Sequence, residues 1–293
     1  MSAAGARAGA RVMVLALGVV VVLAIVLLAR ARSARESLMG ARVTPGAVTG
    51  LAPLSPSEHR GLSLLAAFRD SLPANSGNDL RCTSCHLENG TRATAMSWHG
   101  VASRYPRYRA RRGSEENLTQ RINECIVRSL AGRPLPDTSN AMRDMLAFFE
   151  TTRDLPRPPA VDTVKLAGSA GNGELVYGAQ CARCHGGQGG GLSAPAVWGS
   201  ASYSVGAGMS RQSVLATFVR HNMPQDRAGT LTAEQAADVA AYILQQPRQD
   251  FVGKELDWPK GDPPADVAYP TDAAGLAGRE QPPLRPLLPR RLP

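Results

Sequence analysis

GNGELVYGAQCARCHGGQGGG, residues 171–191, holds the unit Cys181-Ala182-Arg183-Cys184-His185. Two thiols separated by two residues and followed at once by histidine are the attachment signal for c-type haem. The thiols add across the vinyl groups along one porphyrin edge, and the adjoining imidazole swings beneath the ring as an iron ligand. A second unit, CTSCH, occupies residues 82–86. A redox dithiol or half of a zinc site would need no histidine after either copy. Two covalent haem c groups are therefore expected, held by Cys82, Cys85 and His86 and by Cys181, Cys184 and His185.

The surroundings of the later unit predict a small class I cytochrome c domain. A helix carrying Leu175 and Tyr177 precedes it, and a glycine-rich loop follows, where the backbone can pass close to a macrocycle. Next comes HNMP at 221–224, and then a helix expected over 231–246, with Ala236, Val239, Ala240 and Ile243 on one face and Thr232 with Gln235 as a capping box. The sixth iron ligand in such a loop is a methionine, whose thioether raises the haem potential. Met223 is preferred, and Met209, in GAGMS, is the alternative.

The earlier half repeats this plan with one change. His185 and Met223 are 38 residues apart; 39 residues after His86 stands Cys125, in RINECIVRSL (121–130). A lone cysteine is ordinarily a small buried hydrophobe or half of an intermolecular disulfide. The matched spacing instead predicts a thiolate ligand on the first iron, which lowers its potential relative to methionine. The basic setting also favours thiolate, since residues 103–130 hold seven Arg against three Glu. Arg121, Arg128 and Ser129 fall on the Cys125 face of a helix. With Arg111 or Arg112 they are expected to form a site for a small dianion. Arg107 and Arg109 read as a solvated basic loop. A closing helix is expected over 140–153, with Phe148 and Phe149 in the places of Ala241 and Tyr242.

These readings organise the whole chain. Residues 1–30 form a membrane anchor or signal: residues 12–29 are an 18-residue apolar run flanked by Arg7 and Arg11 and by Arg30, Arg32 and Arg35. An uncleaved anchor is preferred to cleavage at Ala29–Ala31. Because c-type haem is attached outside the cytoplasm, the remainder is expected on the periplasmic side of the inner membrane. Residues 31–55 read as a tether, 56–153 as the first haem domain, and 154–163 as a Pro-rich linker. Residues 164–248 read as the second domain, and 249–293 as an extended arm with a Pro-rich tail. The fold class is all-α: two tandem class I cytochrome c-like domains plus an N-terminal transmembrane helix.

The net charge of +9 does not indicate nucleic-acid binding. Residues 51–278 hold 23 Lys and Arg against 22 Asp and Glu, so the excess belongs to the two ends.

Several segments strongly resemble the dihaem c-type thiosulfate dehydrogenases over roughly residues 78–270. They are SCHLENGT (84–91), the block from YPRY (105–108) to LTQRINECIVRSLAGRPLP (118–136), PAVWGSASYSVGAGM (195–209), HNMP, LTAEQAADVAAYI (231–243) and PRQDFVGKELDWPKGDPP (247–264). The resemblance implies a His/Cys-ligated active-site haem and a His/Met-ligated exit haem. Some relatives have a competing lysine where this chain has Asn222, so plain His/Met ligation is expected. It further implies oxidation of two thiosulfates to tetrathionate, or the reverse, with Cys125 as the reactive sulfur and the arginines as the substrate clamp. The implied partner is an external acceptor such as a soluble or membrane cytochrome. The rival readings are a non-catalytic dihaem electron carrier and the dihaem subunit of another sulfur-oxidising complex.

Overall fold

Each haem-attachment unit lies beside a crossed pair of helices. In the computed structural model, Pro56–Ala66 (α1) and Asn140–Glu150 (α4) form the first pair, and Ala170–Gln180 (α5) and Ala233–Gln245 (α8) the second. The structure describes residues 53–273, with Val26 and the backbone of Leu287 and Leu288. Contacts divide the chain into Met1–Gly46 and Ala47–Pro293, and both helix pairs belong to the latter. The expected anchor and tether lie almost wholly outside the described residues. Among those described, no helix is long and apolar enough to cross a membrane.

Side-chain caps start five of the described helices. Ser55 caps α1 in a capping box with Glu58, and Pro56 takes the first helical turn, where a missing N–H does no harm. Asn117 with Gln120 does the same for Leu118–Arg128 (α3), as do Thr232 and Gln235 for α8. Ser139 and Ser169 cap α4 and α5.

The crossings use one device twice. A Cβ on Gly61 would lie 2.0 Å from the Asp144 carbonyl oxygen, and one on Gly173 would lie 2.0 Å from that of Asp238. Only glycine allows backbones so close. The same atoms would meet Phe148 Cβ at 2.9 Å and Tyr242 Cβ at 2.8 Å. Phe148 therefore matches Tyr242, one residue out of step with the expected pairing of Phe149 and Tyr242. The offset arises because the crossing glycine sets the register, not the count of aromatics. Trp98 meets Phe148 and Phe149 edge-on, as Trp198 meets Tyr242.

The structure is mostly helical, with small strands that the all-α expectation omitted. Arg107–Arg109 (β1) pairs antiparallel with Ser114–Glu116 (β2). Their register sets Arg107 against Glu116, and an ion pair across the hairpin joins Arg109 to Glu116, with no apolar alternation. Arg248–Gln249 (β3) pairs in parallel with Leu287–Leu288 (β4).

The later segments tie the halves together. Val205, Trp258, Val267 and Tyr269 form a small core of their own. Asn78 donates to the Ser129 and Ser202 carbonyls at 2.8 and 3.0 Å, and the buried Gln249 donates to those of Gly77 and Ser200 at 3.2 and 2.7 Å. Val164, just past the Pro-rich stretch, is buried and donates its N–H to Thr217 Oγ1 at 2.9 Å.

Candidate active site

A cavity of about 600 Å³ lies over the first attachment unit, within the size range of small-molecule and cofactor sites. Cys82, Cys85, His86, Arg121, Cys125 and Ser129 all line it. The wall is composite. Gln212–Asn222 (α7) contributes Val214, Thr217 and Phe218 from the second half, and the Pro-rich stretch contributes residues 157–161.

The donor set fits haem c. His86 Nδ1 donates to the Met96 carbonyl at 2.7 Å, which fixes the tautomer and leaves Nε2 for a metal. Burial, acting against the Met96 hydrogen bond, lowers the imidazole to about 4, so it is neutral and able to ligate. Burial also pushes the Cys85 thiol up to about 12 and raises Cys82, as expected of sulfurs in an apolar pocket. Gly90, at φ +78°, lets Trp98 lie against the loop: a Cβ there would sit 2.1 Å from the indole.

The later unit repeats the pattern. His185 ends Ala182–His185 (α6), and its Nδ1 donates to the Pro195 carbonyl at 2.7 Å, again ten residues on. Burial lowers its basicity as well. Gly189, at φ +60°, would place a Cβ 2.2 Å from the Trp198 ring. Cys181 is pushed up to about 11 by burial. Met223 directly follows α7 and is half-buried against the core. Met209 is buried in the turn Gly208–Ser210 and lines the Cys125 cavity, placing this alternative ligand beside the first attachment unit. Equal spacing conceals a local difference: Cys125 lies inside α3, whereas Met223 follows its helix.

The arginines divide into two groups. Arg121 shares the cavity with Cys125, and the electrostatic interaction with that residue is the largest cause raising the guanidinium above its ordinary value. Arg104, Arg107, Arg109 and Arg157 also line the cavity. Arg107 is exposed at its edge, as expected of a solvated loop, whereas Arg109 is half-buried and departs from that expectation. Arg109 lies 3.4 Å from Glu116. Arg111 and Arg128 face elsewhere. Arg128 holds Asp257 through two bonds of 2.8 and 2.6 Å, pairs with Glu124, and lies 4.2 Å over the Phe251 ring. Burial opposes its charge, but Asp257 holds it above the ordinary value. Arg111 donates to the Gly206 carbonyl at 2.7 Å and stacks 4.6 Å over Trp258. Arg112 is exposed. Of the expected clamp, the structure brings Arg121 and Ser129 to Cys125 and places Arg111 and Arg128 around Asp257.

Asp257 and Arg157 carried no signal among the candidate residues, and Asn222 entered only as the residue standing where some relatives have a lysine. Asp257 is 129 residues from Arg128, Arg157 lies in a Pro-rich stretch, and Asn222 reaches Thr94 from 128 residues away.

Comparisons with known proteins agree with this geometry. Residues 73–153 match the family model of the SoxA/TsdA cytochrome c domain, and residues 168–243 match that of cytochrome c oxidase, cbb3-type, subunit III. Both matches are to cytochrome c domains, which carry covalent haem c. A thiosulfate dehydrogenase of Psychrobacter arcticus is 37 % identical over 223 residues, covering 71 % of this chain and 68 % of the relative. One of Allochromatium vinosum is 38 % identical over 217 residues, covering 68 % and 80 %. The solved thiosulfate dehydrogenase (TsdBA) of Marichromatium purpuratum superposes with a TM-score of 0.62 at 27 % identity, over 72 % of this chain and 50 % of that one. Two helix pairs of one design, two CxxCH units with matched histidine supports, and this breadth of similarity place the chain in the thiosulfate dehydrogenase family.

Proposed function

We propose that this chain oxidises thiosulfate, joining two molecules into tetrathionate at the Cys125 cavity and releasing two electrons to an external acceptor. The observation that carries the reading is that Cys125, Arg121 and Ser129 share one cavity with the attachment cysteines and His86. Two haems, held by Cys82, Cys85 and His86 with Cys125, and by Cys181, Cys184 and His185 with Met223, supply one-electron acceptance when bound.

Arg121 stabilises both the Cys125 thiolate and the incoming dianion, and the Ser129 hydroxyl orients a substrate oxygen. The basic hairpin residues Arg107 and Arg109 and the linker residue Arg157 draw anions towards the cavity. Cys125 Sγ forms a bond to the terminal sulfur of one thiosulfate, the two electrons lost passing to the haems, and leaves a cysteine S-thiosulfonate (Cys–S–S–SO3⁻). The terminal sulfur of a second thiosulfate attacks that sulfur, tetrathionate departs, and the Cys125 thiolate is restored. Run backwards, the same steps reduce tetrathionate. Arg111 and Arg128 support the cavity from behind, through Asp257. The first domain (56–153) is the catalytic unit and the second (164–248) the electron exit. The N-terminal segment holds both on the periplasmic face of the membrane.

The test is Cys125→Gly in the full chain. Both haems remain covalently attached, and thiosulfate-dependent haem reduction is lost. Tetrathionate formation at near wild-type rate would overturn the reading.

A further inference from the structure

Asn222, in the last turn of α7, is fully buried, with 0 % exposure. Its amide is held on two segments of the chain. Oδ1 accepts from Thr94 Oγ1 at 2.8 Å, and Nδ2 donates to the carbonyls of Thr94 and Phe218, each at 3.0 Å. Thr94 lies 128 residues earlier, in the loop between His86 and Trp98, and both Thr94 and Phe218 line the Cys125 cavity. The residue after Asn222 is Met223. The same amide that grips the wall of the first site thus belongs to the residue whose peptide leads into the sulfur ligand assigned to the second.

Three hydrogen bonds to two chain segments lock the Asn222 side chain in one rotamer, and with it the backbone direction on entering residue 223. A thioether is a neutral donor without charge to hold it on a metal. Its ligation therefore depends on the residues that orient its loop, as for other metal ligands. The contact reaches across the two halves, which an ordinary helix C-terminus does not require.

We propose that Asn222 is a positioning residue for the second iron: clamped on Thr94, it fixes the loop that presents Met223. The inference rests on Met223 being the ligand. Its test uses the full two-haem protein and two variants that separate these claims. Thr94→Val deletes the hydroxyl donor while keeping the side-chain shape. The sulfur-to-iron charge-transfer band of the ferric second haem is followed while cyanide displaces the methionine. Displacement is expected about fivefold faster than in wild type, the equivalent of losing one neutral hydrogen bond of about 1 kcal/mol. The potential of that haem is expected to fall, while Thr94→Ser, which keeps the hydroxyl, retains the wild-type rate. An unchanged rate and potential in Thr94→Val overturns the proposal. Thr94→Ala provides the same readings if the valine variant fails to incorporate haem. Met223→Ala tests the ligand separately: persistence of the charge-transfer band in that variant removes Met223 from the iron, whatever Thr94 does.

Discussion

Arg128 and Asp257 form a two-bond ion pair of 2.8 and 2.6 Å, with side chains only 10 % and 5 % exposed. Tyr269 donates a further hydrogen bond to Asp257 at 2.6 Å. The pair fastens α3, which carries Cys125, to the segment after β3. Removing one partner of a buried pair leaves an uncompensated charge, so Asp257→Ala is expected to destabilise the protein by about 3–5 kcal/mol. Equilibrium denaturation of the haem-loaded protein measures it. Arg128→Met combined with Asp257→Leu should lose less than the two single changes added together, because the pair is then removed whole and the groups that lose a partner are Glu124, Arg111 and Tyr269. A larger loss in the double variant would show that the pair does more than satisfy itself.

Arg121 is the arginine that the Cys125 charge stabilises most directly. Arg121→Gln removes a charged hydrogen-bond donor worth about 1.5–3 kcal/mol, so kcat/KM for thiosulfate should fall roughly 10- to 100-fold. Haem attachment should remain complete. A kcat/KM within a factor of two of wild type would take Arg121 out of the substrate site.

Gly90 combines a left-handed backbone with the Trp98 ring 2.1 Å from any added Cβ. Gly90→Ala should therefore lose about 2–5 kcal/mol, from backbone strain and overpacking together. Gly187, with nothing within 4 Å of its Cβ position, is the matched control and should tolerate alanine with little change. Thermal melting of the two variants side by side checks the contrast.

Asp144 joins α4 to α1 by accepting from Arg60 at 2.8 and 3.0 Å and from Ser57. The Arg60 hydrogen bond, followed by that of Ser57, holds its carboxyl below the ordinary carboxylate value. For a depressed carboxylate, the added stability is fully present above the unfolded value of about 4 and is lost as the pH falls towards the folded one. Denaturation midpoints below about pH 4 should drop more steeply in wild type than in Asp144→Asn. Parallel curves would show that this contact does not contribute to the acid limb.

Three of the four paired helices and the attachment units were legible because their signals are local, whereas α1 was not read from the sequence. A CxxCH unit is spaced by the covalent chemistry of one porphyrin edge, and the Thr232–Gln235 capping box lies within one turn. The β1–β2 hairpin was not legible, since its pairing sets Arg and Glu against each other without apolar alternation. Arg111 and Arg128 were misleading for a related reason. Helical spacing puts Arg128 near the Cys125 face, yet a carboxylate 129 residues away draws it aside.

The sequence by itself determined the class of cofactor, the two CxxCH units, the capping box that starts α8, and the lone cysteine that lies near the first site. Each depends on bonds or caps spanning a few residues. Only the tertiary structure decided which arginines face Cys125, that the Pro-rich linker walls the cavity, and that Asn222 grips Thr94. Those outcomes depend on which buried charges and amides find partners when the two halves meet, and no short stretch of chain contains both members of such a pair.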